Sequence, residues 1–195
     1  MKKNYSFVNI ILPQEQYVEK REYDGMTIVL LDATMDGDMY RCVECSVPTS
    51  EYDASEVLDA YKTWKANMEA MRLRQAKGAK IAEIEAYDTS SAINDFTLNG
   101  KHRWLPMEKR QGIAYSIEAL KKEGHADVTI WFDTNSVIMP VDKALDMLNK
   151  IEVYAKETNN VTHQHKAKVE AMTSIVEVEA FDVKAGYPSK VEYSL

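Results

Sequence analysis

Ala54, Val57, Tyr61, Trp64, Met68 and Met71 recur at spacings of 3, 4, 3, 4 and 3, and no Pro or Gly interrupts the chain between Pro48 and Gly78. A helix turns once every 3.6 residues, so this spacing keeps six apolar side chains on one face and predicts an α-helix. Asp59, Lys62, Lys65 and Glu69 fall on its other faces. The seam is about three heptads long and has two readings. In one, it is buried against this protein's own sheet, as amphipathic helices usually are. In the other, the strict 3,4 spacing makes it a homo-oligomer or partner interface. Val57, Tyr61, Trp64, Met68 and Met71 would then be the contact residues, with Tyr61 and Trp64 as the large anchors.

The rest of the chain arranges itself around this helix. Tyr5 to Leu12, Met26 to Leu31 and Tyr40 to Val47 are rich in β-branched and apolar residues, with turns at Asp24-Gly25 and Asp36-Gly37-Asp38. They predict a β-rich module over residues 1–50. Pro48-Thr49-Ser50 closes it and opens the helix, which with its linker occupies 51–80. Beyond that, Asn99-Gly100 predicts a hairpin, because this dipeptide most readily takes the two positive φ values of a type I′ turn. Pro106 opens a helix that Gly124 stops. A second hairpin runs from Asp127 to Phe132 and back through Val137 to Met139. Pro140 leads into another helix, with Ala144, Leu148, Ile151 and Tyr154 or Ala155 inward, and Thr162 is placed to cap a further one. Helices alternating with hairpins, without long parallel crossovers, give an α+β fold over 81–195.

One segment echoes another. Ile81-Ala82-Glu83-Ile84-Glu85-Ala86-Tyr87-Asp88 and Ile175-Val176-Glu177-Val178-Glu179-Ala180-Phe181-Asp182 agree at five of eight positions. Two copies do not make a repeat array, and duplication and coincidence both account for them. Ser174 and Glu177 have capping-box spacing, which favours a short helix in the second copy.

The chain has 195 residues, 45% of them hydrophobic and 28% charged, which is the balance of a globular protein long enough to bury a core without disulfides or metal. No apolar run approaches the roughly 18 residues a membrane span needs. A net charge of −7, with basic residues scattered among acidic ones, disfavours nucleic acid, whose phosphates select clustered Lys and Arg. The N-terminal apolar stretch stops at Pro13, too short for a signal peptide, so the expected location is the cytosol and the two glycosylation sequons carry no meaning.

Motifs that carry chemistry are sparse. Cys42-Val43-Glu44-Cys45 has redox or zinc spacing, but it sits in an expected strand with no second ligand pair nearby. It reads as two half-buried cysteines on one side of the strand or flanking a turn. His163 and His165, two apart on a helix, face different sides. Asp32, Asp36 and Asp38 miss the calcium-loop ladder, and neither phosphate-binding glycine motif is present. Trp104 and Trp131 line a pocket or fill a core. Catalytic residues, metal ligands and cofactors are accordingly expected to be none.

A resemblance runs through Ser90 to Gly100, Trp104-Leu105 and Arg110. It continues in Thr129-Ile130-Trp131-Phe132, Ala144 to Leu148 and Glu152 to Ala155, and closes with Thr162 to Lys166, Val176 to Asp182 and Gly186-Tyr187-Pro188. From about Tyr87 to Leu195 the chain resembles a family of proteins of unknown function encoded by bacteriophages and prophages, often near tail and tail-fibre genes. The resemblance brings no catalytic residues. It implies a tail-region protein, either a virion component or a tail-fibre assembly factor, located in the bacterial cytoplasm or the virion. Its partners would be other phage tail or structural proteins, or further copies of itself. The alternative from another class is a small phage accessory enzyme or a ligand-binding protein whose site is built from dispersed residues.

Overall fold

The computed structural model describes residues 3–195. Helices hold 49% of the chain and strands 27%, in three separate small sheets whose strands pair antiparallel except at one short pairing. The class is α+β. No helix among the described residues is long and apolar enough to cross a membrane. The chain divides into two compact units, residues 1–72 and 73–195.

The first unit is a four-stranded antiparallel sheet in the order β1-β4-β3-β2, with β1 Phe7–Pro13, β2 Lys20–Tyr23, β3 Met26–Asp36 and β4 Met39–Pro48. Asp24 and Gly25, with φ of 49° and 72°, make the tight turn between β2 and β3. The sheet is apolar on both faces. One carries Leu12, Leu30 and Cys42; the other carries Cys45 and Val47, packed on Val57. The two cysteines therefore lie on opposite faces and not on one side, because side chains three apart on a strand point in opposite directions. Both are free and buried, and burial pushes both thiols up in pKa. No disulfide or shared ligand set is geometrically open to them.

Helix α1, Ala54–Asp88, is longer than its seam. A one-turn 3-10 segment, Thr49–Glu51, follows Pro48, and Asp53 caps the helix. The Asp53 carboxylate accepts from the backbone of Ser55 at 2.8 Å and Glu56 at 3.0 Å, which lowers its pKa. The helix then passes straight through Gly78, so that its last turns supply Ile81 and Ile84 to the second unit.

In that unit, β5 (Phe96–Leu98) and β6 (Lys101–Arg103) form the first hairpin, turned by Asn99 and Gly100 at φ 50° and 75°. The C-terminal β9, Glu192–Tyr193, adds to β5 in parallel. Helix α2, Met107–Lys122, is followed by Gly124 at φ 83°. β7 (Asp127–Phe132) and β8 (Asn135–Pro140) make the second hairpin. Helix α3 runs unbroken from Val141 to Ala171, so Thr162 is no cap. It is buried in mid-helix, where its hydroxyl donates to Asp88 Oδ1 at 2.7 Å. The short α4, Ile175–Ala180, begins on the capping box of Ser174 and Glu177. The first copy of the internal echo is helical throughout and the second over Ile175–Ala180, and their matching residues Ile84 and Val178 meet in one core cluster with Val169 and Val183. The main core gathers fourteen buried side chains, among them Phe96, Ile117, Ile130, Met139, Met147 and Ile151.

Candidate functional site

In residues 1–72, the seam packs on one face of the sheet. Val57 and Tyr61 are buried, Trp64 and Met68 are half-buried, and Met71 is exposed. Phe7 of β1 reaches the rings of both Tyr61 and Trp64, with centroids 5.6 Å away in each case. Four of the five candidate interface residues thus find cover within their own unit.

Beside this contact lies a cleft of about 500 Å³, walled by Tyr61, Trp64 and Met68 on one side and by Asn9, Ile11 and Val43 on the other. That volume falls in the usual range for small-molecule sites. Its most unusual residue is Asp32. The register of β3 on β4 shifts between Leu31 and Thr34, and Asp32 takes φ 51° in this bulge. The bulge re-aims the carboxylate toward α1, where it pairs with the Lys65 ammonium. That bond, and then the neighbouring Tyr61 hydroxyl, holds the Asp32 carboxyl below its ordinary value. Burial, and then the same carboxylate, pushes the Tyr61 phenol well above the ordinary range. Arg41, Glu69 and Arg72 add charge to the rim, with Arg41 held to Asp36 at 2.8 Å. The cleft therefore joins an apolar wall to fixed charges of both signs.

In residues 73–195, the polar residues of the resemblance divide into braces and exposed groups. Asp95 is buried, and its Oδ2 accepts from His102 Nδ1 at 2.7 Å and from Lys190 Nζ at 2.9 Å. Burial alone would raise its pKa, but these two donors outweigh burial and lower it. Lys190 also donates to the Ser91 carbonyl at 3.1 Å, so the cluster ties the C-terminal segment to the loop before β5. Arg110 is buried as well, donating to Glu152 Oε2 at 2.7 Å and to the Leu105 carbonyl at 2.6 Å under the Trp104 ring. Of the histidine pair, His163 is exposed and His165 buried, as two-residue spacing on a helix requires. His165 stands edge-on to Phe181 and Tyr187, and burial lowers its pKa.

Trp104 and Trp131 both border a recess of about 160 Å³, together with Arg103, Lys109, Phe132 and Asp133. Trp131 is 63% exposed and Ile138 is 69% exposed. Alternation on β7 and β8 sends Ile130, Phe132 and Met139 into the core and leaves Trp131 and Ile138 as diagonal neighbours on the outer face. The sequence marked the two tryptophans but not Arg103 or Lys109, and it marked Asp32 only as one of three acidic residues that miss a calcium loop. A lone charged residue carries no periodic signal, and only the fold brings Arg103 and Lys109 to one recess with the tryptophans, and Asp32 to the cleft in residues 1–72. Neither the models of protein families nor the curated proteins nor the solved structures contain a match to this chain.

Proposed function

We propose that this chain is a phage or prophage tail-region protein, a virion component or tail-fibre assembly factor, that acts through protein–protein contacts. The observation that carries the reading is the outer face of the β7–β8 hairpin. There Trp131 and Ile138 stand in solvent while their strand neighbours fill the core. An exposed tryptophan next to an exposed isoleucine is the kind of anchor that interfaces bury, and burial of such a pair is a large apolar gain. The ordered resemblance over residues 87–195 supplies the tail-region context. Mass spectrometry of purified phage particles tests it. Detection at fixed stoichiometry identifies a virion component. Absence from particles, together with co-purification of tail-fibre proteins from infected cells, identifies an assembly factor, and failure of both removes the tail reading.

A second reading rests on the cleft in residues 1–72, whose volume and mixed lining suit a small ligand of dispersed recognition. A thermal-shift screen of small charged aromatic compounds decides it. A hit lost in Trp64→Ala supports a ligand site, and a screen without hits leaves the cleft as a surface feature.

A further inference from the structure

We propose that the recess bounded by Arg103, Lys109, Trp104 and Trp131 receives an acidic side chain from a protein partner. This inference rests on the contact-making role proposed above and names the chemistry of the partner. Three observations carry it. First, the recess is basic in a chain of net charge −7: Arg103 and Lys109 line it against the single carboxylate of Asp133. Neither cation makes an ion pair among the described residues.

Second, Arg103 is only partly satisfied. Its Nε is buried without an acceptor, and its Nη1 has one long contact of 3.5 Å to the His102 carbonyl. The guanidinium lies over the Phe132 ring at 5.5 Å, which holds its plane in place. A guanidinium presents a fixed fork of donors, and a carboxylate is the acceptor that matches that fork with two bonds. Third, the recess holds about 160 Å³. That is room for the carboxyl end of a glutamate or aspartate, and it lies well below the roughly 300 Å³ at which small-molecule pockets begin. Trp131, on the rim, is placed to cover the residues that flank the inserted acid.

The test uses the full chain, labelled with ¹⁵N, and follows the indole N–H signals of Trp64, Trp104 and Trp131 during titration with acetyl-tetraglutamate amide. Parallel titrations use acetyl-tetraglutamine amide, sodium acetate and inorganic phosphate. The expected result is a saturable shift of the Trp104 and Trp131 signals by the glutamate peptide only, with Trp64 unmoved. Arg103→Gln should weaken binding about tenfold, and the exposed Lys109→Gln about threefold, as charge-assisted contacts are lost. The Lys109 variant keeps the test open if the Arg103 variant fails to fold. Three outcomes overturn the proposal: no shift with the peptide, a shift that both variants preserve, or equal affinity for phosphate and acetate, which would mark a free-anion site. Peptide binding by a chain absent from phage particles and tail-fibre complexes would keep this site and remove the tail reading. A particle component that ignores the peptide would do the reverse.

Discussion

The two units of this chain spend their apolar residues differently. In residues 1–72, small clusters lie on opposite faces of one sheet, each with three buried side chains. In residues 73–195, fourteen buried side chains from helices, hairpins and the C-terminal strand converge on one centre, and a second cluster joins both copies of the internal echo. A sheet that is apolar on both faces needs cover on each, and a single helix covers only one. Cys42 and Cys45 display the division at residue level, since a spacing of three on β4 assigns them to different clusters. The larger core sustains exposed apolar groups such as Trp131 elsewhere on its surface. The divided one offers an open cleft beside its helix.

This contrast is breakable by mutation. Phe96 is completely buried in the larger core, so Phe96→Ala should destabilise by about 4 kcal/mol through lost transfer energy and a residual cavity. Hydrogen exchange should show protection falling across residues 73–195 while 1–72 retain theirs; equal loss in both would abolish the division. Tyr61→Ala should cost roughly 3 kcal/mol in the first unit, and Met71→Ala less than about 0.5 kcal/mol, by denaturant unfolding. Trp64→Glu with light scattering adds the assembly state: a folded monomer derived from an oligomeric parent makes the seam an interface, and a monomeric parent ends that idea.

Smaller effects sharpen the picture of the second unit. Arg110→Gln should cost about 2 kcal/mol, because the Leu105 carbonyl and Glu152 lose a charged donor; urea midpoints measure it. Ser174→Ala should cost about 1 kcal/mol by removing half of the capping box that starts α4. His165 should have no titration effect at pH 8, where its imidazole is neutral folded and unfolded alike. Its folded pKa lies below the ordinary 6.5, so on acidification the unfolded chain takes up its proton first and stability falls as pH drops through and below that value. His165→Gln should flatten that part of the stability profile, measured by thermal unfolding between pH 8 and pH 5.

How much of this was readable from the residues depends on how local each cause is. Asn99-Gly100, Gly124 and Ser174 with Glu177 act within a few residues, through positive φ or a reciprocal cap, and the structure has the turn, the stop and the helix start where they predict. The helix with its linker reads as ending at residue 80, but α1 continues through Gly78 to Asp88. The local cost of about 1 kcal/mol for a mid-helix glycine is outweighed once Ile81 and Ile84 are buried by distant segments. Thr162 reads as a cap for the same local reason, yet its hydroxyl is satisfied by Asp88, far away in sequence. β2 and β9 were illegible. Lys20-Arg21-Glu22-Tyr23 is exposed throughout, and Glu192–Tyr193 is a strand only because β5 lies open beside it.

The sequence alone therefore determined the helix seam, the hairpin turns, the Ser174–Glu177 capping box and the α+β class, because backbone preference and hydrophobic period act over one or two turns of chain. Only the tertiary structure decided which cysteine faces which core, that the two echo segments meet, and that Arg103 and Lys109 share a recess with two tryptophans. Those are facts of proximity between distant residues. They depend on which buried surfaces fit together, and one-dimensional spacing does not encode that fit.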